Sequence, residues 1–315
     1  MASSSPRSTN RAAASWLRPP PFRYIAAIAL LLAGAWLVLS FAAAWRLTRR
    51  ALPPFDEPAP AVAWGRIEPL RLHTADGVEI GCWFVRGDAT KPCAVLLHGN
   101  GDCRRSMLGP MEALVRAGFS AVAVSLRAHG DSAGDVNDFG FSARADVIAA
   151  VELAERELPG GRIVVLGQSL GAAAALFAAG ELGARVNAYA LESPYSSLEA
   201  AVENRTRVYL PPILDSIAYA GLVLAARAVL PTAVRIRPAM HVADIPLNVP
   251  VLFLAGVKDR HTKIEEIEAM ASTIAAHATI TRFENAAHSE LFRSDPALYL
   301  RSVLECFGQA ARSRQ

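Results

Sequence analysis

Gly167-Gln168-Ser169-Leu170-Gly171 sets a serine between two glycines where an apolar run meets a run of small residues. The run in, RIVVL at 162–166, has the continuous apolar character of a strand buried on both faces. The run out, LGAAAALFAA at 170–179, has that of a helix. A turn this sharp between strand and helix holds its serine in a strained backbone conformation and lifts the hydroxyl above the sheet. Gly167 and Gly171 suit it because side chains there would clash across the turn. The start of the helix adds a field that favours developing negative charge. A serine nucleophile is the expectation. An ordinary turn containing a serine is the plainer alternative, and both flanks argue against it.

A serine hydroxyl attacks only when a base takes its proton, and the base must itself be oriented by a third group. The base is expected after Ser169 in the chain, with the acid between them. His288, in Asn285-Ala286-Ala287-His288, sits in a loop directly after the last apolar run and is the candidate base. His277 lies near a helix end, and His261 is a neighbour suited to contacts with solvent or substrate. Asp259 follows the run VLFLAG, which places it at the carboxyl edge of a parallel sheet, where catalytic groups gather. Asp244 precedes that run and should lie at the wrong edge, and Glu192, at the end of the preceding strand, is a weaker alternative. His98-Gly99-Asn100-Gly101 follows the run CAVLL and can lend a backbone N–H to an oxyanion. The expected donors are the N–H groups of Asn100 and Leu170, since paired donors commonly supply the largest single contribution to acyl transfer. A Gly-rich turn without that role is the alternative for this loop. Chemistry of this kind calls for no metal or organic cofactor, and no CxxC or Cys/His cluster offers a metal site.

A sheet has to hold these residues. Residues 66–74 and 78–85 read as two strands around an Asp76-Gly77 turn. Apolar runs at 94–97, 121–126, 162–166, 186–191, 251–255 and 279–283 read as further strands. Helix patterns lie between them, at 104–117, from a Ser142 cap to 158, and at 170–182, 264–276 and 296–307. Such alternation means βαβ units and a mainly parallel sheet. Residues 194–245 break the alternation with an apolar, helix-leaning stretch carrying Pro211, Pro212, Pro231 and Pro238, expected as a cap inserted over the sheet. The run 218–230 could pass for a membrane helix, but Asp215, Arg227 and the nearby prolines argue against that.

Residues 24–45 carry no charge, and about 20 apolar residues suffice to cross a bilayer. Tyr24 and Trp45 stand at the two ends as interface anchors would. Residues 1–23, rich in Ser, Pro and Arg, are expected to be a disordered basic tail. Residues 46–65, with Pro53, Pro54, Pro58 and Pro60, read as a semi-rigid linker, and 66–310 as the globular domain. A cleaved signal peptide competes for the apolar run, with small residues at Ala42 and Ala44, but its apolar region would be only about 7–15 residues long. Four arginines precede the run and three follow it, which favours a single-pass protein with its domain outside the cytoplasm. Those seven arginines, with no acid among residues 1–50, mask the domain's own charge: the net +3 of the chain becomes −4 without them. That domain charge excludes the basic face of a nucleic-acid protein. The expected partners are the membrane, through residues 24–45, and a small-molecule or lipid-like acyl substrate. Cys82, Cys93, Cys103 and Cys306 are too few for a disulfide framework and read as buried thiols.

Taken together, LLHGNG, SLRAHGDSAG, VLGQSLGAAAAL, LESPYSSL, VPVLFLAGVKD and AAHSEL resemble the α/β-hydrolase superfamily over about residues 66–307. Within it the chain is similar to α/β-hydrolase-domain proteins with one N-terminal membrane segment. The resemblance implies an α/β-hydrolase fold: an eight-stranded, mostly parallel sheet with an antiparallel second strand, helices on both faces, and a helical cap opened by Ser193-Pro194-Tyr195. It separates the strands of Cys82 and Cys93, and it makes Arg127-Ala128-His129-Gly130 a structural loop near the site, with alanine at 128 where relatives usually have glycine. It implies a serine hydrolase that cleaves carboxylic esters or thioesters through an acyl-enzyme, with Ser169 as nucleophile, His288 as base and Asp259 as orienting acid. The apolar cap favours a hydrophobic acyl group. A serine peptidase of the aminopeptidase type is one rival. It would want cap acids to hold a free amine, and only Glu199, Glu203, Asp215 and Asp244 are present. A non-catalytic binding or scaffold protein on the same fold is the other.

Overall fold

The strands are β1 (Glu68–His73), β2 (Glu79–Val85), β3 (Cys93–Leu97), β4 (Ser120–Val124), β5 (Ile163–Gln168), β6 (Ala188–Glu192), β7 (Val251–Gly256) and β8 (Ala278–Phe283), in a computed structural model that describes residues 21–312. They form one eight-stranded sheet in the order β1-β2-β4-β3-β5-β6-β7-β8. Only β2 runs against its neighbours, β1 and β4; the remaining pairs are parallel. Strands β3 to β7 are covered on both faces, which is why they read as unbroken apolar runs. β4 lies between the strands of Cys82 and Cys93.

Helices α1 (Pro21–Leu47), α2 (Leu108–Arg116), α3 (Arg144–Glu157), α4 (Leu170–Leu182), α5 (Leu198–Tyr209), α6 (Leu214–Val229), α7 (Ile264–Thr273), α8 (Leu291–Ser294) and α9 (Pro296–Arg312) complete the chain. α3, α4 and α7 pack one face of the sheet, where Val95, Leu97 and Val165 point; α2 and α9 pack the other, where Leu96 and Leu166 point. α5 and α6 form the cap between β6 and β7, attached through a separate apolar cluster around Phe141, Phe177 and Tyr195. All four cysteines are free and buried, and burial pushes the thiols of Cys82, Cys93 and Cys306 up to about 12.

Several expected boundaries move for identifiable reasons. The helix expected over 104–117 is a 3₁₀ turn, Arg104–Met107, followed by α2. Pro110 has no N–H to return to the carbonyl of Ser106, so a continuous α-helix from 104 would lose a bond in its interior; in the first turn of α2 that N–H is not required. β4 ends near Val124, where Leu126 N–H leaves the ladder and bonds His98 Nε2. Ser142 is not the helix cap. Its Oγ and N–H both donate to Asp138, and α3 begins at Arg144.

The N-terminal segment departs further from expectation. Residues 1–20 of the expected basic tail lie outside the described residues, and residues 21–23 already belong to α1. Among the described residues one helix, over Phe22–Leu47, is long and apolar enough to cross a membrane. The proline-rich stretch after it is not a spacer but part of the folded body. Arg50 donates to the carbonyls of Gly130, Ser132 and Gly134. Glu57, only 3% exposed, sits beside the buried guanidinium of Arg104 and accepts the Ser125 hydroxyl at 2.6 Å. Arg104, 2% exposed, holds Asp131 bidentately at 2.5 and 2.7 Å and donates to Glu57 O at 2.9 Å. A buried arginine needs acids around it, and one of them comes from the proline-rich segment.

Candidate active site

β5 delivers Ser169 and α4 carries the chain away, as the glycine spacing requires. Ser169 has φ 49° and ψ −106°, a left-handed conformation that costs a non-glycine residue roughly 1–3 kcal/mol and collects at functional sites. Its N–H is held by the carbonyl of Glu192 at 2.7 Å. The glycines are there for space. A Cβ on Gly171 would lie 2.5 Å from Leu97 O, and one on Gly167 would lie 2.7 Å from Ala172 N.

His288, in the loop after β8, points Nε2 at Ser169 Oγ from 2.9 Å. Its Nδ1 lies 2.7 Å from Asp259 Oδ2, so the ring donates to the carboxylate and offers its other nitrogen to the serine. The loops that carry the acid and the base are tied together. Lys258 N–H bonds the carbonyl of Ala286 at 3.1 Å, and Lys258 Nζ bonds Asn285 Oδ1 at 2.9 Å. Asp259 is buried, and its Oδ1 accepts the N–H groups of His261 and Thr262 at 2.8 and 2.9 Å. Burial alone would raise its pKa. The His288 hydrogen bond and charge, with the two N–H donors, outweigh it and hold the carboxyl below its ordinary value.

The runner-up acids are engaged elsewhere. Asp244, before β7, pairs with His241 at 2.8 Å. Glu192 lies behind the turn, accepting Gln168 Nε2 at 3.0 Å and Tyr299 Oη at 2.9 Å, and burial raises its pKa. His277 bonds Val249 O at 2.6 Å, far along the sheet from the serine turn. His261 stacks edge-on against His288, centroids 5.3 Å apart, and Tyr209 of the cap meets its Nε2 at 3.2 Å.

Leu170 is the first residue of α4, so its N–H has no intrahelical acceptor. The loop after β3 runs beside it: a Cβ on Gly99 would lie 3.8 Å from Ser169 Cβ. Asn100 is fixed by Asn137, whose Nδ2 donates to Asn100 Oδ1 at 2.6 Å. His98 fastens the same loop. Its Nδ1 lies 2.7 Å from Gly99 O, and its Nε2 accepts Leu126 N–H at 2.9 Å. Burial first, then the neighbouring His129, pushes the His98 pKa down to about 3. In the unfolded chain it returns toward 6.5, so the unfolded state binds the extra proton first. Stability from His98 is therefore complete above about pH 6.5 and lost as pH falls toward 3. Urea midpoints measured from pH 7 to 4 should fall, and His98→Asn should flatten that slope; an unchanged slope would assign the acid sensitivity to other groups.

Arg127 closes the neighbouring loop, with Nη1 2.6 Å from Asp76 and Nη2 2.8 Å from Asp146. Burial opposes its charge, but the two carboxylates prevail and raise its pKa. Ala128 has φ 61°, the left-handed geometry for which glycine is the easier residue. A cavity of about 510 Å³ opens beside the serine turn, lined by Asn100, Gln168, Glu192, Phe292, Arg293 and Tyr299 among others. None of its walls comes from residues 194–245. α8 and the start of α9 form part of them.

The Glu57–Arg104–Asp131 network escaped the sequence reading. The only signal for it was an acid within the proline run. The fold itself is shared with known esterases. An esterase from Pyrococcus furiosus superposes with a TM-score of 0.64 at 21% identity, covering 82% of this chain and 99% of that one. An esterase from Exiguobacterium antarcticum gives a TM-score of 0.58 at 17% identity, covering 76% and 100%. An acylaminoacyl peptidase from Pyrococcus horikoshii gives 0.58 at 16% identity, over 80% of this chain but 42% of that one. At such identities the likeness is one of fold. The model of the alpha/beta hydrolase family matches residues 94–301, a span that runs from β3 through the serine turn, Asp259 and His288, and the chain belongs to that family.

Proposed function

We propose that the protein is a membrane-anchored serine hydrolase that cleaves carboxylic esters or thioesters through an acyl-enzyme. The observation that carries this is the relay Ser169 Oγ–His288 Nε2 at 2.9 Å and His288 Nδ1–Asp259 Oδ2 at 2.7 Å. Ser169 Oγ attacks the carbonyl carbon while its proton passes to His288 Nε2. The carbonyl oxygen, now an oxyanion, takes hydrogen bonds from the N–H groups of Asn100 and Leu170. As the intermediate collapses, the C–O or C–S bond breaks and Nε2 returns the proton to the leaving alcohol or thiol. Water, deprotonated by the same nitrogen, then releases the acid and restores Ser169. Asp259 keeps the Nδ1–H tautomer in place and stabilises the imidazolium that forms. On this reading α1 is the anchor, and the four arginines before its apolar run against three after it favour a domain outside the cytoplasm.

The cap offers little to a peptide amine. Glu203 pairs with Arg207, Glu199 faces Arg227 and Arg237, and Asp244 is paired with His241, which favours esters over aminopeptidase substrates. The test is pre-steady-state turnover of p-nitrophenyl acetate, with fluorophosphonate labelling read by peptide mass spectrometry. A burst of about one equivalent of p-nitrophenol and a single phosphonylated serine at 169 are expected. Label on another residue, or none, would remove Ser169 from its role.

A further inference from the structure

α1 leaves the protein surface partway along its length. Residues 22–35 are exposed at every position, whereas Trp36, Ser40 and Ala44 turn toward the domain. Trp36 Nε1 donates to Ile217 O at 3.0 Å, Ser40 fits against Gly221 where any Cβ would collide with it, and Ala44 shares an apolar cluster with Ala225 and Ala226. The first two contacts keep one spacing of 181 residues, so α1 and α6 run parallel. They meet through small residues, as helices packed within a bilayer do.

The free part of α1 is too short to cross a bilayer alone. Residues 22–35 rise about 21 Å, against a hydrocarbon core about 30 Å thick. The missing ~9 Å is about six residues of helix, counted from Trp36 onward. The register sets those residues beside the first turns of α6. The chain leading into α6 therefore lies at or below the bilayer surface whenever α1 spans.

What stands there is Tyr209-Leu210-Pro211-Pro212-Ile213-Leu214, all apolar in body and all exposed. Ile213 is 74% exposed and has φ 79°. In water that choice is doubly unfavourable: a β-branched side chain in the left-handed region, where glycine or asparagine is easier, and a large apolar surface left wet. Asp215, the nearest acid, is half-buried and takes the Ser216 N–H at 2.6 Å. The inner end of the same loop reaches the site, since Tyr209 meets His261, and His261 stacks on His288.

The same register sets Leu214 level with α1 residue 33, about 12 Å inside the hydrocarbon boundary. We propose that residues 209–214 form a lip immersed in the acyl region of the bilayer that holds α1, and that acyl esters dissolved in that bilayer reach Ser169 over it. The proposal rests on the anchored-hydrolase reading and adds the source of the substrate. Full-length protein in phosphatidylcholine nanodiscs tests it in two ways. Ile213→Cys, carrying a nitrobenzoxadiazole dye, should fluoresce blue-shifted and be quenched by brominated lipid; the native cysteines are buried and stay unlabelled. A dye emitting as in water, without quenching, overturns the lip. Ile213→Asp charges the tip. It should lower turnover of p-nitrophenyl palmitate in the nanodisc about tenfold or more and leave soluble p-nitrophenyl butyrate within about twofold. Equal effects on both esters, or none on the palmitate, overturn the delivery route. Wild type inactive on both esters overturns the hydrolase reading instead, and the dye still decides the lip.

Discussion

Ser169→Ala is expected to lower kcat for ester hydrolysis by about 10⁵- to 10⁶-fold, and Asp259→Asn by about 10⁴-fold. The second loss follows from hydrogen-bond direction. Asp259 Oδ1 accepts two backbone N–H groups, from His261 and Thr262, so an asparagine would keep its oxygen there. Its NH₂ would then face His288 Nδ1, which must give up its hydrogen to accept that bond. The ring hydrogen moves to Nε2 and points at Ser169, where a lone pair is needed. The variant would be folded, nearly isosteric and in the wrong tautomer. KM should change little, because Asp259 is buried and does not line the cavity. Steady-state kinetics with p-nitrophenyl butyrate, alongside thermal melting, provides the check. Activity within tenfold of wild type would take the orienting role from Asp259. A large fall in melting temperature would place the loss in folding.

Arg104→Met should destabilise the domain by about 3–5 kcal/mol, the usual penalty for breaking a buried ion pair from one side. The guanidinium is the centre of the cluster. It holds Asp131 through two hydrogen bonds, donates to Glu57 O and lies 4.9 Å over the Trp83 ring. Without it Glu57 keeps its carboxylate in the core, Oε2 loses its ion-pair partner, and Oε1 already has no hydrogen-bond partner. Asp131 fares better, since Arg71 still reaches it at 3.1 Å from the surface. Adding Glu57→Gln to Arg104→Met should therefore recover part of the loss, because the second change removes the stranded charge. Urea unfolding of the single and double variants measures this. A single-variant loss below about 1 kcal/mol would mean that water enters to solvate Glu57.

Ser169, Asp259 and His288 were legible because their placement obeys local rules. Each stands just past the carboxyl end of an apolar run, and a parallel sheet brings such ends to one edge. The turn glycines were legible for the same reason, since the crowding at Gly167 and Gly171 comes from the turn's own backbone and from the strand beside it. The buried ion cluster obeys no local rule. Glu57 and Arg104 are 47 residues apart and meet only because the proline run folds back. The contact of α1 with α6 was hidden by composition. An apolar helix shows no polar face from which a packed side can be told, and the packed stripe Trp36, Ser40, Ala44 becomes visible only with its partner. The cavity beside the serine turn was not legible, because part of its wall is α8, a single short turn between the His288 loop and α9 with no periodic pattern of its own.

On the proposal that α1 anchors the domain, Glu57 also bears on how that domain could be released. A protease that cut within residues 58–66 would shed the hydrolase without one of the two carboxylates that neutralise Arg104. The freed fragment would carry an arginine in its core short of one acid, and it would unfold more readily than the tethered parent. Cleavage near residue 51 would spare the cluster, but there Arg46 Nη2 bonds Ala51 O at 2.9 Å, and Arg50 next to it is fastened to three carbonyls of the Gly130–Gly134 loop. On the anchored-hydrolase proposal, retention at the membrane would be built into the domain's own interior as well as into its apolar helix.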